Sequence, residues 1–171
     1  VRMKVAASLD GRTALANGQS QWIAGAGARR DGHAWRARAC AVLTGVGTVK
    51  DDNPYLTVRD VMTSRQPMRV VVDSRMQTPL TANVLGPGTL IAAAGADVPR
   101  SVALRAQGAE VVVLPNHDGK VELPALMQEL ARRGCNEIHV EAGYKLNGSL
   151  LAEGLVDELL IYMAPCILGD T

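Results

Sequence analysis

The sequence predicts a single α/β domain in which helices cover the faces of a mostly parallel central sheet. Strand-like and helix-like stretches alternate along the second half of the 171 residues, and such alternation is typical of parallel sheets. Hydrophobic residues make up 47% of the chain and charged residues 20%, as in a globular protein with a sizeable core. Phe is absent, so Val, Leu, Ile, Ala and Met must fill that core.

Each predicted strand is a short run of apolar, often β-branched residues that ends at turn residues. The run in residues 68–75 has consecutive apolar positions, which is typical of a strand covered on both faces. The seven predicted strands are residues 1–8, 40–45, 68–75, 88–94, 109–115, 136–143 and 156–165.

Four helices are predicted between these strands. In the clearest one, Leu123, Leu126 and Leu130 recur at helical spacing and form an apolar face. Gly134 follows that helix, and glycine commonly ends helices. The four predicted helices are residues 25–39, 98–107, 123–133 and 146–154.

The segment Thr44–Arg59 follows the second predicted strand and is too polar to belong to the core. We predict a loop there, at a strand end, where α/β proteins concentrate their binding residues. Gly45 and Gly47 permit a close backbone approach to a ligand or a positive φ, and Asn53 before Pro54 indicates a turn. An ordinary polar connection between two elements fits this segment equally well.

Basic residues recur on one face of the first predicted helix. Arg29, His33 and Arg36 are spaced i, i+4 and i+7, so they lie on the same side. A solvated basic face is the simpler interpretation, and a binding face for an anionic ligand is the alternative, since Arg matches phosphate geometry. Lys4, within the first predicted strand, points either outward to solvent or into a pocket.

Polar residues also end two of the predicted strands. Ser74 and Arg75 end the third strand, where a hydroxyl and a guanidinium can hold the 2′-phosphate that separates NADP from NAD. Glu141 precedes Gly143 and a predicted helix, and such a strand-to-helix junction suits an anion such as a pyrophosphate. A plain connection without a ligand fits both places as well.

Composition and charge narrow the classes of function. The formal net charge of +1 argues against a nucleic-acid or membrane-surface footprint, and charges interrupt every long apolar stretch. The three Cys and three His residues are scattered, so we expect no disulfide framework, no metal site and a cytoplasmic location. We also expect a fragment of a longer domain, because the sequence stops without a closing element.

Six motifs occur in the order that they have in one known family. They are K-V-A-A-S-L-D-G-R-T-A, S-Q-W-I, T-V-x-x-D-N-P-x-L-T-V-R, V-V-D-S, E-A-G and L-V-D-E-L-x-x-Y-x-A-P. Through them the chain resembles, over almost its whole length, the reductase domain of the bifunctional riboflavin-biosynthesis deaminase/reductase.

The resemblance implies a dihydrofolate-reductase-like fold over residues 1–171, truncated at its C-terminus. It implies NADPH-dependent reduction of the ribosyl group of 5-amino-6-(5-phosphoribosylamino)uracil to a ribityl group. It also implies a homodimer or higher homo-oligomer. The family's zinc deaminase domain has an H-x-E…P-C-x-x-C motif that does not occur in these residues, and the sequence leaves open whether the parent protein carries that domain.

Roles for individual residues follow from the same resemblance. The candidates for proton transfer are Lys4 and Asp52, although water serves equally well. The implied cofactor-binding residues are Ala6, Trp22, Thr48, Asp52, Ser74, Gly143, Tyr144, Lys145, Leu146, Asn147, Gly148 and Ser149. The implied substrate-binding residues are Ser20, Arg36, Leu56, Arg59 and Glu141, with the two arginines as phosphate clamps.

Two positions depart from the family pattern. Ala24 stands where Ser or Thr is common, and Tyr144 stands where Pro is common. Two alternative functions remain open on the sequence. One is a reductase that acts on the non-deaminated 2,5-diamino analogue of the substrate, and the other is a non-catalytic nucleotide-binding fragment.

Overall fold

The computed structural model describes residues 1–15 and 25–169, and in them strands alternate with helices as predicted. The elements are β1 (Arg2–Ser8), α1 (Ala26–Arg38), β2 (Ala41–Gly45), α2 (Val46–Asp52), β3 (Met68–Val72), β4 (Thr89–Ala93), α3 (Val98–Ala106), β5 (Ala109–Val113), α4 (Leu123–Arg132), β6 (Ile138–Val140), α5 (Tyr144–Ala152) and β7 (Glu158–Ala164). Every predicted strand and helix is present, with ends that differ by a few residues. None of these helices combines the length and apolar character needed to span a bilayer.

The strands of the described residues form one sheet in the order β5-β4-β3-β2-β6-β1-β7. Every neighbouring pair runs parallel. Val140 of β6 lies between Met3 of β1 and Leu43 of β2 in the register. The prediction of an α/β domain with a mostly parallel sheet is therefore confirmed.

Two apolar clusters fill the spaces on the two faces of the sheet. Because side chains alternate along a strand, Leu43 belongs to one cluster and its neighbour Val42 to the other. The cluster of Leu43 includes the leucines of α4 and Leu150 of α5, whereas the cluster of Val42 includes Val49 of α2 and Leu104 of α3. Helices α4 and α5 thus cover one face, and α2 and α3 cover the other.

Helix α2 corrects the loop that we predict for the segment Thr44–Arg59. It begins directly after β2 with Gly45 as its N-cap, and it ends at Asn53, whose φ is 42°. Val49 is its one buried residue, and a single buried position in seven residues gives no helical pattern to detect. Asn53 caps the end of this helix in the left-handed conformation, and neither Gly45 nor Gly47 has a positive φ.

The chain connections change direction between β2 and β6, which are neighbours in the sheet. The chain leaves β2 towards β3 on one side and leaves β6 towards β7 on the other. Helices α2 and α5, which begin these two connections, accordingly lie on opposite faces. In open parallel sheets, ligands bind in the crevice outside the carboxyl ends of two such strands. The topology therefore points to the crevice between the starts of α2 and α5.

Candidate active site

Small residues line the crevice between α2 and α5. Gly45 caps the start of α2, and Gly143 caps the start of α5. A Cβ atom on Gly45 would lie 3.4 Å from Cδ2 of Leu146, and one on Gly143 would lie 3.7 Å from Oγ1 of Thr48. Three residues of the implied cofactor site, Thr48, Gly143 and Leu146, are thus brought together. A large side chain at position 143 would compete for the space beside Thr48.

Helix α5 presents backbone donors at the carboxyl edge of the sheet. Its first hydrogen bond runs from the Asn147 N–H to the Gly143 carbonyl at 3.1 Å, so the N–H groups of residues 144–146 have no acceptor within the helix. In the described part of the chain no side chain caps this end, and residues 143–145 and 148–149 are exposed. These donors and the positive end of the helix dipole can hold an anionic group.

Glu141 and Arg36 form a bidentate ion pair beside this crevice. Arg36 extends from α1, where its Nε donates to Oε1 of Glu141 and its Nη2 donates to Oε2 at 2.9 Å. Its Nη1 donates to the Thr57 carbonyl at 3.1 Å, so every guanidinium nitrogen has a protein acceptor. The Glu141 backbone is also fixed, since its carbonyl accepts from Oγ1 of Thr44 at 2.7 Å. The two side chains are only 14% and 15% exposed.

His139 precedes Glu141 by two residues and is fully buried on the same side of the strand. Its Nε2 lies 3.5 Å from Oε1 of Glu141, a long polar contact rather than a well-formed hydrogen bond. Burial raises the pKa of Glu141, but the pair with Arg36, the contact with His139 and the charge of Lys4 together lower it far below its usual range. Glu141 is therefore an ionised hydrogen-bond acceptor at neutral pH.

Lys4, on β1, brings a second positive charge near Glu141. Its Nζ lies 5.8 Å from the ring centroid of Tyr162 on β7, and Ala6 pairs with Tyr162 in the strand register. The Tyr162 hydroxyl donates to Oδ2 of Asp31 at 2.5 Å, and burial together with Asp31 raises the Tyr162 pKa. Among the described residues, Lys4 makes no hydrogen bond or ion pair. Its ammonium group is therefore available to a ligand.

The loop after α2 is fixed against α1 and presents Arg59. The buried His33 accepts a hydrogen bond from the Arg59 N–H at its Nδ1, at 3.2 Å. Nη1 of Arg59 donates to Oγ1 of Thr57 at 3.3 Å, and the Arg59 side chain is exposed. Leu56 is 2% exposed with a φ of 55°, so its side chain belongs to the core rather than to a binding surface.

The basic face predicted on α1 is mostly packed rather than solvated. Arg29 is exposed, but His33 is buried against the loop after α2, and Arg36 is paired with Glu141. The interpretation as a solvated basic face is therefore wrong for two of the three residues. The sequence spacing placed them on one side correctly, but it could not show that an acidic side chain from β6 meets them there.

Asp52 and Ser74 are not joined to Lys4 or Glu141 by a hydrogen bond or an ion pair in the described part of the chain. Asp52 is exposed in the last turn of α2. Ser74 follows β3, where its Oγ accepts from the Val121 N–H at 3.2 Å and retains a hydroxyl proton to donate. Ser74 therefore lies at the same edge of the sheet as the crevice, next to the exposed Arg75.

Ser20, Trp22 and Ala24 lie outside the described residues, so their predicted roles stay predictions. Within the ranges 1–15 and 25–169, no group of three or more His, Cys, Asp and Glu side chains is arranged to hold a metal ion.

Sequence reasoning did not identify His139 or Thr57 as part of this site. A signal existed for His139, because residues i and i+2 of a strand share a face and Glu141 was already a candidate. Thr57 receives Arg36 through its backbone carbonyl, and a backbone acceptor leaves no signal in the amino-acid type.

Comparison with known proteins identifies the family of the chain. The model of the RibD C-terminal domain family matches residues 1–171. The riboflavin biosynthesis protein RibD of Escherichia coli is 42% identical over 183 residues, which cover 99% of this chain and 49% of that protein. The chain thus spans about half the length of the curated relatives that it matches, and it belongs to the RibD C-terminal domain family.

Solved structures agree with this assignment. Acinetobacter baumannii RibD has a TM-score of 0.86 and 37% identity, with 99% of this chain and 47% of that chain covered. A Thermotoga maritima protein described as a diaminohydroxyphosphoribosylaminopyrimidine deaminase/5-amino-6-(5-phosphoribosylamino)uracil reductase has a TM-score of 0.80 and 26% identity, with 99% and 45% covered. The structural similarity therefore supports the same family as the sequence comparison.

Proposed function

We propose that this member of the RibD C-terminal domain family is an NADPH-dependent reductase of riboflavin biosynthesis. It would convert the ribosyl group of 5-amino-6-(5-phosphoribosylamino)uracil to the ribitylamino product. The observation that carries the proposal is the Arg36–Glu141 pair. This pair fixes an ionised hydrogen-bond acceptor beside the crevice and the exposed start of α5. The described activity of the Thermotoga maritima relative, which includes this reduction, supports the choice of reaction.

The residues at the crevice fit a dinucleotide. The N–H groups of residues 144–146, which have no acceptor within the helix, and the lack of a side chain on Gly143 suit a pyrophosphate, and Thr48 lies beside Gly143. Ser74 and the exposed Arg75 follow β3 at the same edge of the sheet, and we expect them to bind the 2′-phosphate that distinguishes NADPH from NADH. When bound, NADPH supplies the hydride. We also assign five further residues to the proposed cofactor site: Ala6, Trp22, Asp52, Gly148 and Ser149.

The substrate ring and its phosphate use different parts of the site. Glu141 accepts from N–H groups of the pyrimidine ring, because an ionised carboxylate is acceptor-only. Arg36 holds Glu141 in place, whereas the exposed Arg59 binds the phosphate of the substrate. The two arginines are thereby given different tasks, since the donors of Arg36 already have protein acceptors.

Reduction of the ribosyl group needs a proton as well as a hydride. Lys4 carries a proton on Nζ, lies near Glu141 and has no acceptor among the described residues. We propose Lys4 as the group that delivers it. Asp52 and water are the competing donors, and Asp52 is exposed in the last turn of α2.

Turnover with synthetic substrate tests this function. NADPH consumption is followed with the uracil substrate and with its non-deaminated 2,5-diamino analogue, which offers Glu141 one more amino donor. We expect consumption with the uracil substrate, its loss in Glu141→Gln, and no change in Glu122→Gln, which alters a carboxylate at the start of α4. A folded sample that binds both ligands without turnover would favour the non-catalytic nucleotide-binding alternative.

The proposal extends to the parent protein, its assembly and its location. The name of the Thermotoga maritima relative includes a deaminase, which supports fusion of this domain to a zinc deaminase domain, and we also propose a cytoplasmic location. The edge strand β7 exposes Leu159, Ile161 and Met163 by 52%, 55% and 62%, which supports a homo-oligomer formed through this edge. Light scattering should show a dimer or larger species that Ile161→Lys dissociates; a monomeric wild type would contradict this assembly.

A further inference from the structure

A cavity of about 420 Å³ lies at the amino ends of β3 and β4, at the opposite edge of the sheet from the crevice. Its volume is within the range of about 300–1,000 Å³ that is typical of small-molecule sites. Most of its wall is apolar, and Arg69 is the one charged residue among the described residues that line it. The lining residues are Thr57, Gln66, Pro67, Met68, Arg69, Pro87 and Gly88.

Arg69 is a half-buried cation without an acidic partner. Its Nη2 donates to the Pro87 carbonyl at 2.5 Å, and among the described residues no carboxylate lies within ion-pair distance of its guanidinium. Burial, with no opposing charge, lowers the pKa of Arg69, yet a guanidinium stays protonated in proteins. A charge that has lost water without gaining a counter-charge is unfavourable, and an anion bound beside it would remove that penalty.

We propose that this cavity binds a small molecule that carries one anionic group, a carboxylate or a phosphate, on a flat apolar body. Arg69 pairs with the anionic group, and Pro67, Met68 and Pro87 pack against the body. This combination of apolar walls and a single placed charge is the usual composition of a ligand pocket. The site is separate from the crevice, so the proposal does not depend on the reductase function.

Thr57 lines this cavity and also contacts the candidate active site. Its carbonyl accepts from Arg36 and its hydroxyl accepts from Arg59. A ligand in the cavity would therefore touch the loop that positions both arginines. For this reason the amide signals of residues 57–59 are expected to respond to the ligand along with those of the cavity wall.

The test is a titration of amide NMR signals with phenyl phosphate, benzoate and inorganic phosphate. We expect phenyl phosphate and benzoate to shift the signals of Thr57, Met68 and Gly88, with inorganic phosphate at least about tenfold weaker because it has no apolar body. Arg69→Gln should weaken binding by about tenfold or more, as expected for loss of a charged hydrogen bond.

Two variants control for other anion sites and for folding. Arg75→Gln, which removes an exposed arginine at the crevice edge of the sheet, should leave the shifts at Met68 and Gly88 unchanged, and Arg69→Lys should retain measurable binding of phenyl phosphate because it keeps the charge. Unchanged affinity in Arg69→Gln, shifts confined to residues 143–146, or equal affinity for inorganic phosphate would each overturn the proposed site.

Discussion

Replacing Arg36 with Met tests the ion pair on which the candidate site depends. The substitution keeps most of the side-chain length but leaves Glu141, which is 15% exposed, without its bidentate partner. Removal of one partner of a buried pair costs about 3–5 kcal/mol. Because both side chains keep some contact with water, we expect a loss of about 3 kcal/mol in the free energy of unfolding. At about 2–4 °C per kcal/mol, Tm should fall by about 6–12 °C.

The pH dependence of stability gives a second check on the same pair. In the folded protein the pKa of Glu141 is lower than in the unfolded chain, so ionised Glu141 stabilises the fold above the unfolded pKa of about 4.3. That contribution is lost as the pH falls towards the folded pKa. Without Arg36 the folded pKa rises, so we expect the stability difference between wild type and variant to shrink below about pH 4.3.

Urea unfolding of five proteins would test this: wild type, Arg36→Met, Glu141→Leu, their double variant and a control variant of Arg38. Arg36→Met combined with Glu141→Leu should recover much of the loss, because replacing both partners removes the unpaired charge. Arg38→Met is the matched control, since Arg38 also forms a bidentate pair from α1, with Glu137, but is 58% exposed. We expect that control to change stability by no more than about 1 kcal/mol. A similar small loss in Arg36→Met, with additive effects in the double variant, would refute the reasoning.

Three further predictions concern other parts of the chain. Arg59→Ala should raise KM for the phosphorylated substrate by about tenfold or more, as for a lost charged hydrogen bond, and leave Tm unchanged; an unchanged KM would remove Arg59 from the phosphate site. Hydrogen bonds from Ser8 and from the N–H groups of Leu168 and Gly169 lower the pKa of Asp10 to about 2. Protection of the amides of residues 168 and 169, corrected for the intrinsic exchange rate at each pH, should therefore decrease in Asp10→Asn, and in wild type as the pH falls from about 4 towards about 2; unchanged protection would show that Asp10 does not hold this segment. Leu126→Ala should cost about 2–5 kcal/mol by urea unfolding, because Leu126 is fully buried against the sheet, and a loss under about 1 kcal/mol would contradict its place in the core.

Local sequence patterns were sufficient to predict the helices and strands that have many buried positions. The leucines of α4 show helical spacing and are buried on one face, and the apolar runs of β3 and β4 lie in the middle of the sheet. Helix α2 was missed because only Val49 of its seven residues is buried. A short helix held by one contact and by its position after β2 leaves no period for the sequence to reveal.

In the candidate site, too, the local positions of residues were predictable from the sequence, but their contacts across the fold were not. The sequence placed Glu141 at a strand end and Arg36 on a helix face, and each position was correct. Their pairing was not predictable, because 105 residues separate them along the chain and only the sheet order brings β6 beside the strand that follows α1. Thr57 contributes through a carbonyl, and Leu56 turns into the core through a positive φ. Both effects depend on the backbone path rather than on residue type.

We propose that the crevice between α2 and α5 binds NADPH. Calorimetric titration of NADPH into wild type, Gly143→Leu and Ser74→Ala tests it most directly. We predict saturable binding by wild type and at least about tenfold weaker binding by Gly143→Leu, with an unchanged Tm, because the new side chain enters the space beside Thr48. Ser74→Ala should weaken NADPH binding and leave NADH binding unchanged. Undiminished NADPH affinity in Gly143→Leu would contradict the placement of the cofactor.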